Sequence, residues 1–275
     1  MKATPGSLLA RWRFVCAVIT VSVLAACTRQ AETLSPTQRE AIQTRVTTHF
    51  QRTVLFQPRD ADSTVAVRLA PLIVQELADT NIAGLWRDQF AWNDAGPLVL
   101  SEVGTTVVPG RSHDQVFYFW SYPPNESARS PALKAQGIRI TLNAAGEPVI
   151  WEVLADSTGA DILYVAQSLE LAARAEFGAP LPSRKFSIER SVAEAPHTVV
   201  ANVIDDGPLP MGPVVYLRQG NHDVSTLICR CMASQGGTLL GQTNYELQLS
   251  ATQTNAPATF RPGELEQRLR LPRSF

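Results

Sequence analysis

An alternation of apolar and polar residues on both sides of one turn constrains the fold most. Every second residue is apolar in residues 138–142, and a similar alternation returns in residues 149–154. Residues 143–146, Asn-Ala-Ala-Gly, are typical of a turn, so the stretch predicts a β-hairpin. Arg139 and Glu152 fall on its polar faces. We therefore expect a cross-strand ion pair on a solvated sheet face.

Further segments predict a sheet around this hairpin. Residues 115–122 contain five aromatic side chains, which load both faces of a strand. Residues 199–204 are apolar except for one asparagine, and residues 214–231 read as a second hairpin. Because the strands come in hairpins with few helices, the fold class predicted is α+β. It is a mostly antiparallel sheet with one main helix on a face and a peripheral N-terminal helix.

Two helices are predicted from caps and periodicity. Ser35, Pro36 and Gln38 form a capping-box sequence, which opens the peripheral helix and carries it to about Thr53. Residues 161–177 carry an apolar stripe at helical spacing, followed by Gly178, a residue that commonly ends helices. This second segment is the predicted main helix.

The N-terminal residues have the composition of an export signal. Basic residues precede an apolar run of residues 14–24, which is shorter than the roughly 20 residues of a membrane-spanning helix. The sequence Leu24-Ala25-Ala26-Cys27 resembles the lipobox of bacterial lipoproteins. That resemblance implies cleavage before Cys27, attachment of diacylglycerol and a further fatty acid such as palmitate, and a membrane anchor. Thr28 is not the aspartate associated with inner-membrane retention, which favours the outer membrane facing the periplasm.

Composition sets the domain boundaries and excludes some partners. The chain has 24 basic and 25 acidic residues, a balance that argues against nucleic-acid binding. We expect a signal peptide in residues 1–26, a lipidated tether in residues 27–34 and a single domain in residues 35–249. Residues 250–275 begin with a polar, Pro-containing stretch and are expected to form a flexible tail.

Cys229 and Cys231 are the two cysteines beyond the signal and lipobox. On a strand both sulfurs would lie on one face, with Cα atoms about 6.6 Å apart, near the upper limit for a disulfide. Three interpretations stay open: buried core thiols, which we favour, a disulfide, or a soft-metal site with Met211, Met232 and His222. No metal or other cofactor is assigned.

No spacing identifies a catalytic centre. His49, His113, His197 and His222 stand in no metal or catalytic motif, so we interpret them as solvated turn residues. Asp205 and Asp206 precede Gly207 and are read as an ordinary turn rather than a calcium site. Catalytic residues stay unknown, and a non-catalytic protein is favoured.

Two functions remain. The first is an envelope lipoprotein that binds an envelope protein, a cell-wall component or a small ligand through its sheet or through the rigid loop of residues 207–213. The second is a thiol redox or soft-metal protein that acts through Cys229 and Cys231.

Overall fold

Strands are the commonest regular element of the described chain, and one strongly curved sheet contains them. The computed structural model describes residues 33–45, 50–59, 63–77, 92–93, 96–108, 111–122, 133, 135–207, 210–230, 238–249 and 265–275. Leu34–Phe275 forms one compact unit. The strands are β1 (Arg52–Pro58), β2 (Leu72–Glu76), β3 (Trp92–Asn93), β4 (Gly96–Val108), β5 (Arg111–Ser121), β6 (Ala135–Leu142), β7 (Pro148–Val153), β8 (Asp161–Ala166), β9 (Thr198–Ile204), β10 (Val214–Leu217), β11 (Val224–Ile228) and β12 (Thr238–Leu249). The described helices are α1 (Pro36–Thr44), α2 (Val65–Arg68), α3 (Gln167–Phe177) and α4 (Leu265–Arg268).

The strand order departs from the predicted fold class. Neighbours follow the order β11-β10-β2-β1-β12-β4-β5-β6-β7-β8-β9, and β3 pairs with β4. The pairs β1–β12, β2–β10, β4–β12 and β8–β9 are parallel. The predicted α+β fold, a mostly antiparallel sheet of hairpins with one main helix, is wrong. Strands make up 47% and helices 16% of the described residues, and the sheet is nearly closed. Parallel partners such as Arg52 and Thr238 are far apart in sequence, so local alternation does not reveal their pairing.

The curvature brings the two ends of the sheet close together. The side chains of Tyr164 on β8 and Thr226 on β11 are hydrogen-bonded to each other. The side-chain amide of Gln136 donates to the carbonyl of Ala155 at 2.9 Å and to that of His222 at 3.0 Å. The enclosed interior is filled by large aromatic rings that have almost no exposed surface, among them Tyr118, Trp120, Tyr164 and Tyr245.

The predicted central hairpin is confirmed as β6 and β7. Ile138 pairs with Val153, and Arg139 pairs with Glu152. The Asn143 side-chain oxygen accepts hydrogen bonds from the backbone N–H groups of Ala145 and Glu147, both at 2.9 Å, which closes the turn. Both strands are buried on both faces beyond their first residues, whereas a half-solvated hairpin would be buried on one face only.

The two predicted helices exist with shorter bounds. The capping box of Ser35 and Gln38 is present at the start of α1. The expected extension to Thr53 is wrong, because the helix ends at Thr44 and β1 begins at Arg52. The predicted main helix begins at Gln167, since residues 161–166 form β8, which is buried beyond its first residue. Residues 162–166 form a continuous apolar run, which suits either a buried helix or a buried strand, and the pairing with β7 and β9 selects the strand.

The prediction of a flexible tail in residues 250–275 needs correction for residues 265–275. Leu265, Leu269 and Phe275 are buried against the domain. Arg268 adds an ion pair to Glu152, with nitrogen and oxygen 2.8 Å apart. We call residues 265–275 the docked segment. Burying its three apolar side chains stabilises the docked segment. The polar stretch before it has few apolar side chains to bury. Residues 250–264 lie outside the described residues.

Candidate functional site

A cavity of about 340 Å³ lies beside the loop that the sequence singled out. We call it the loop cavity. It lies among β7, the end of β9, the N-terminus of α3 and the end of β11. Its walls include Glu147, Trp151, Asp206, Met211, Pro213 and Cys229. Residues 208 and 209 of the predicted loop lie outside the described residues, while Gly207, Pro210 and Met211 line the cavity.

Trp151 gives the loop cavity an unused hydrogen-bond donor. Its side chain is buried at 5% exposure, and its indole nitrogen Nε1 has no hydrogen-bond partner among the described residues. Buried donors are nearly always paired, because an unpaired one costs about 1–3 kcal/mol. By contrast, Nε1 of Trp120 donates to the Tyr122 hydroxyl at 2.9 Å. The Trp151 indole N–H is therefore an unpaired buried donor in a residue of the cavity wall.

The charges on the described wall of the loop cavity have one sign. Glu147, Asp205 and Asp206 line it, and no lysine, arginine or histidine of the described chain does. Asp206 accepts from the backbone N–H and hydroxyl of Ser168 at 2.8 and 2.7 Å, and so caps α3, which has no side-chain cap of its own. Capping of α3 therefore explains why an acidic side chain stands at position 206. Asp205 and Glu147 are exposed at the cavity.

Cys229 also lines the loop cavity, and it is disulfide-bonded rather than a free core thiol. It follows β11 directly, because the strand ends at Ile228 and not at the predicted residue 231. Cys231 and Met232 lie outside the described residues, as do Cys16 and Cys27, so a Cys229–Cys231 bond stays a prediction. Arg230 donates to the backbone carbonyl of Ala70, and burial lowers the pKa of its guanidinium.

The predicted pair of Arg139 and Glu152 exists, but it is buried rather than solvated. The two side chains are 4% and 3% exposed, and both guanidinium nitrogens Nε and Nη2 donate to the carboxylate. Arg268 of the docked segment pairs with the same carboxylate and lies 3.8 Å from Asp161. The docked segment covers this part of the sheet, which alternation in the hairpin alone does not show.

A second buried charge cluster was missed by sequence reasoning. Arg45, just after α1, donates two hydrogen bonds to Asp156, and its guanidinium lies 4.0 Å from Asp223. Burial raises the pKa of Asp223, against hydrogen bonds from Ser157 that lower it. The cluster joins three distant parts of the chain near the closure of the sheet. No motif marks it, because its members are over sixty residues apart.

Two of the histidines are structured, not solvated as predicted. His222 has a left-handed backbone, with φ of 62°, and stacks on Tyr122 with ring centroids 3.6 Å apart. Burial lowers the pKa of its imidazole. His113 is buried on β5 and stacks on Phe275, with centroids 4.2 Å apart. His197 is partly buried, and its backbone carbonyl accepts from Asp161. His49 lies outside the described residues.

A second cavity, of about 450 Å³, lies between the docked segment, the end of α3, the last residue of β4 and the first residues of β5. We call it the tail cavity. Its walls include His113, Phe177, Arg190, Glu266, Arg273 and Phe275. Sequence reasoning missed it because half of these residues lie in the supposed flexible tail.

Comparisons with known proteins add no family. No protein-family model, curated protein or solved structure matches this chain. Across the described residues there is no group of three or more His, Cys, Asp or Glu side chains that could hold a metal ion. No helix in that same part of the chain is long and apolar enough to cross a membrane. The predicted signal peptide and the predicted lipobox with Cys27 lie outside the described residues.

Proposed function

We propose that this chain is a lipid-anchored protein of the bacterial envelope whose domain binds a small ligand in the loop cavity. The observation that carries the binding proposal is the buried, unpartnered indole N–H of Trp151 in the cavity wall. A volume of about 340 Å³ falls within the usual range of ligand sites, roughly 300–1,000 Å³.

The anchor rests on the sequence Leu24-Ala25-Ala26-Cys27. Replacing Cys27 by serine removes the sulfur that would take diacylglycerol, so we expect Cys27→Ser to leave the membrane fraction. Metabolic labelling with radioactive palmitate should mark the wild type but not Cys27→Ser. The matched control Cys16→Ser removes a different signal cysteine and should be labelled as the wild type is. A wild type that takes up no label, or a Cys27→Ser variant that stays in the membrane, contradicts the anchor and its outer-membrane location.

The chemistry of the loop cavity selects a type of ligand. Trp151 offers a donor, so the ligand needs a carbonyl or another acceptor. The acidic groups Glu147 and Asp205, without a basic residue among the described lining, favour a positive charge. Met211 and Pro213 provide apolar wall. The ligand class that fits is a small amphipathic amine with a carbonyl group, such as the N-terminus of a peptide from the envelope or cell wall.

Leucinamide tests this proposal because it combines an ammonium, a carbonyl and an apolar side chain. We expect it to shift the indole N–H resonance of Trp151 in a ¹H–¹⁵N spectrum, and we expect the resonance of Trp120 to stay in place. Trp151→Phe assigns the signal and should weaken binding about tenfold, the equivalent of one lost hydrogen bond.

One uncharged analogue and one anionic analogue serve as controls. N-acetyl-leucinamide keeps the carbonyl without the positive charge and should bind more weakly, and N-acetyl-leucine should not bind. Equal shifts of the Trp151 resonance with all three compounds would count against the electrostatic argument. No shift with any compound would count against the loop cavity as a site for this class.

Thiol–disulfide exchange at Cys229 is a second candidate, because its disulfide lies in the wall of the same cavity. An external thiolate would attack the disulfide, form a mixed disulfide and release one cysteine as thiolate. We expect a redox-active Cys229 to be reduced by glutathione in the folded protein and then trapped by N-ethylmaleimide. Reduction that requires denaturant points to a structural disulfide. A soft-metal role requires the same reduction, because a disulfide sulfur is not a thiolate ligand.

A further inference from the structure

The tail cavity carries a second inference, which stands independently of the proposed function. His113 lies in its wall at 2% exposure, deep on β5. Its Nδ1 lies 3.0 Å from the carbonyl oxygen of Leu142. A carbonyl oxygen only accepts, so Nδ1 carries the proton and, in the neutral ring, Nε2 is an acceptor. Nε2 has no hydrogen-bond partner among the described residues.

The position of this acceptor is fixed by packing. The ring of His113 lies nearly parallel to that of Phe275, with 6° between the planes and centroids 4.2 Å apart. The main-chain oxygen of Phe275 accepts from Arg111 at 3.0 Å, which holds the docked segment beside β5. The imidazole therefore cannot turn freely to satisfy Nε2 elsewhere. Preorganised polar groups of this kind are what ligand sites use to orient a bound molecule.

Glu266 supplies a second unused acceptor in the same wall. Its side-chain oxygen Oε1 is buried and has no partner among the described residues. The backbone carbonyl of Glu266 accepts from Nε of Arg190, which fixes the start of α4 against the domain. Two buried acceptors without donors in one cavity each carry a desolvation cost that a ligand with suitable donors would remove.

The other charged groups around the tail cavity restrict what that ligand is. Arg111, Arg190 and Arg273 line the cavity together with Glu176 and Glu266, so both signs are present. An ammonium would meet three guanidinium groups, and a phosphate or carboxylate would meet two carboxylates. A hydroxyl group both donates and accepts, and so suits the acceptors and the arginines alike.

We infer that the tail cavity binds a sugar. Its hydroxyl groups donate to Nε2 of His113 and Oε1 of Glu266 and accept from the neighbouring guanidinium groups. The apolar C–H face of a sugar ring fits the wall formed by Phe177, Leu271 and Pro272. A volume of about 450 Å³ lies within the usual range of small-ligand cavities, roughly 300–1,000 Å³.

Nitrogen NMR tests this inference on the wild type. With ¹⁵N-labelled histidine, the Nε2 resonance of His113 reports directly on a new hydrogen bond. We expect glucose or N-acetylglucosamine to shift it and the Nε2 resonance of His222 to stay unchanged. Inorganic phosphate and ethanolamine, which have the charges that the cavity disfavours, should have little effect.

Two variants then locate the binding. Glu266→Gln keeps the volume and removes one full acceptor oxygen. His113→Phe keeps a ring that can stack on Phe275 but removes Nε2 together with the Nδ1 donor to Leu142. Each should weaken sugar binding about tenfold, as expected for a lost hydrogen bond. Glu40→Gln, at an exposed carboxylate of α1 outside the lining, is the matched control and should bind as the wild type does.

Several outcomes would overturn the inference. A shift of the His113 resonance with phosphate or ethanolamine but not with either sugar would assign a different ligand class. No shift with any probe would mean that water alone satisfies the two acceptors. Because the wild-type resonance is read directly, a variant that does not fold leaves the test intact. The Trp151 resonance should not respond to sugar, so failure here is distinguishable from failure at the loop cavity.

Discussion

The buried carboxylate of Glu152 offers the sharpest test of how this sheet is held together. Glu152 accepts from Arg139 through two nitrogens and from Arg268 at 2.8 Å. Replacing it by glutamine keeps the shape and removes the negative charge. Arg139 then remains as a cation at 4% side-chain exposure without its carboxylate partner. Arg268 is more exposed and still has Asp161 at 3.8 Å, so it contributes less to the loss.

The expected magnitude follows from burial. Breaking one member of a buried ion pair costs about 3–5 kcal/mol, because the remaining charge stays desolvated. Glutamine keeps one acceptor oxygen, which places Glu152→Gln at the lower end, about 3 kcal/mol. Replacing the pair together, as Arg139→Met with Glu152→Leu, should recover most of the loss, since no uncompensated charge is then buried.

Urea unfolding followed by tryptophan fluorescence measures these changes, and urea leaves ionic strength unaltered. Glu194→Gln is the matched control, because its pair with Arg190 is exposed and should not measurably affect the free energy of unfolding. A loss of less than about 1 kcal/mol in Glu152→Gln, the range of exposed pairs, would refute the argument from burial. A double variant less stable than Glu152→Gln would refute the argument that the uncompensated charge dominates.

Two further predictions concern pH and packing. Burial lowers the pKa of His222, so the stability it contributes is present above its ordinary value near 6.5 and is lost as the pH falls through its lowered value. His222→Asn, whose side chain tolerates φ of 62°, should therefore unfold less readily on acidification relative to its own stability at pH 7. Equal pH slopes in urea titrations of the two proteins would contradict this. Asp223, whose pKa is raised, is present in both proteins, so its titration affects both slopes. A Cβ atom on Gly137 would lie 2.4 Å from the backbone oxygen of Tyr118, so Gly137→Ala should destabilise the β5–β6 pairing by about 1–3 kcal/mol. Gly104→Ala, with its nearest neighbour at 3.6 Å, should change the urea midpoint little, and similar losses in both would rule out the clash as the cause.

Local patterns predicted those features that neighbouring residues decide. Residues 138–153 formed the expected hairpin, because alternation and an Asn-initiated turn act within sixteen residues. The capping box at Ser35 and the helix end at Gly178 were also predicted, since a cap needs only a few neighbouring residues. The loop cavity was located in part, because residues 207–213 contain too much proline and glycine for regular structure.

Long-range pairing produced the errors. Residues 161–166 are apolar enough for a helix or a strand, and only their placement between β7 and β9 selects β8. The ion pair of Arg139 and Glu152 was predicted on a solvated face, but the docked segment covers it and adds Arg268. His113 was assigned to a solvated turn, whereas β5 and Phe275 bury it.

The sequence by itself determined the central hairpin, the helix caps and the composition of the loop at residues 207–213. It also carries the lipobox pattern at Cys27, on which the proposed anchor rests. Only the tertiary structure decided the parallel pairings, the near closure of the sheet and the two cavities. The physical reason is the range of the interactions. Caps and turns are satisfied within a few residues, whereas the tail cavity needs His113 and Glu266, which are far apart in sequence, to meet in the same wall.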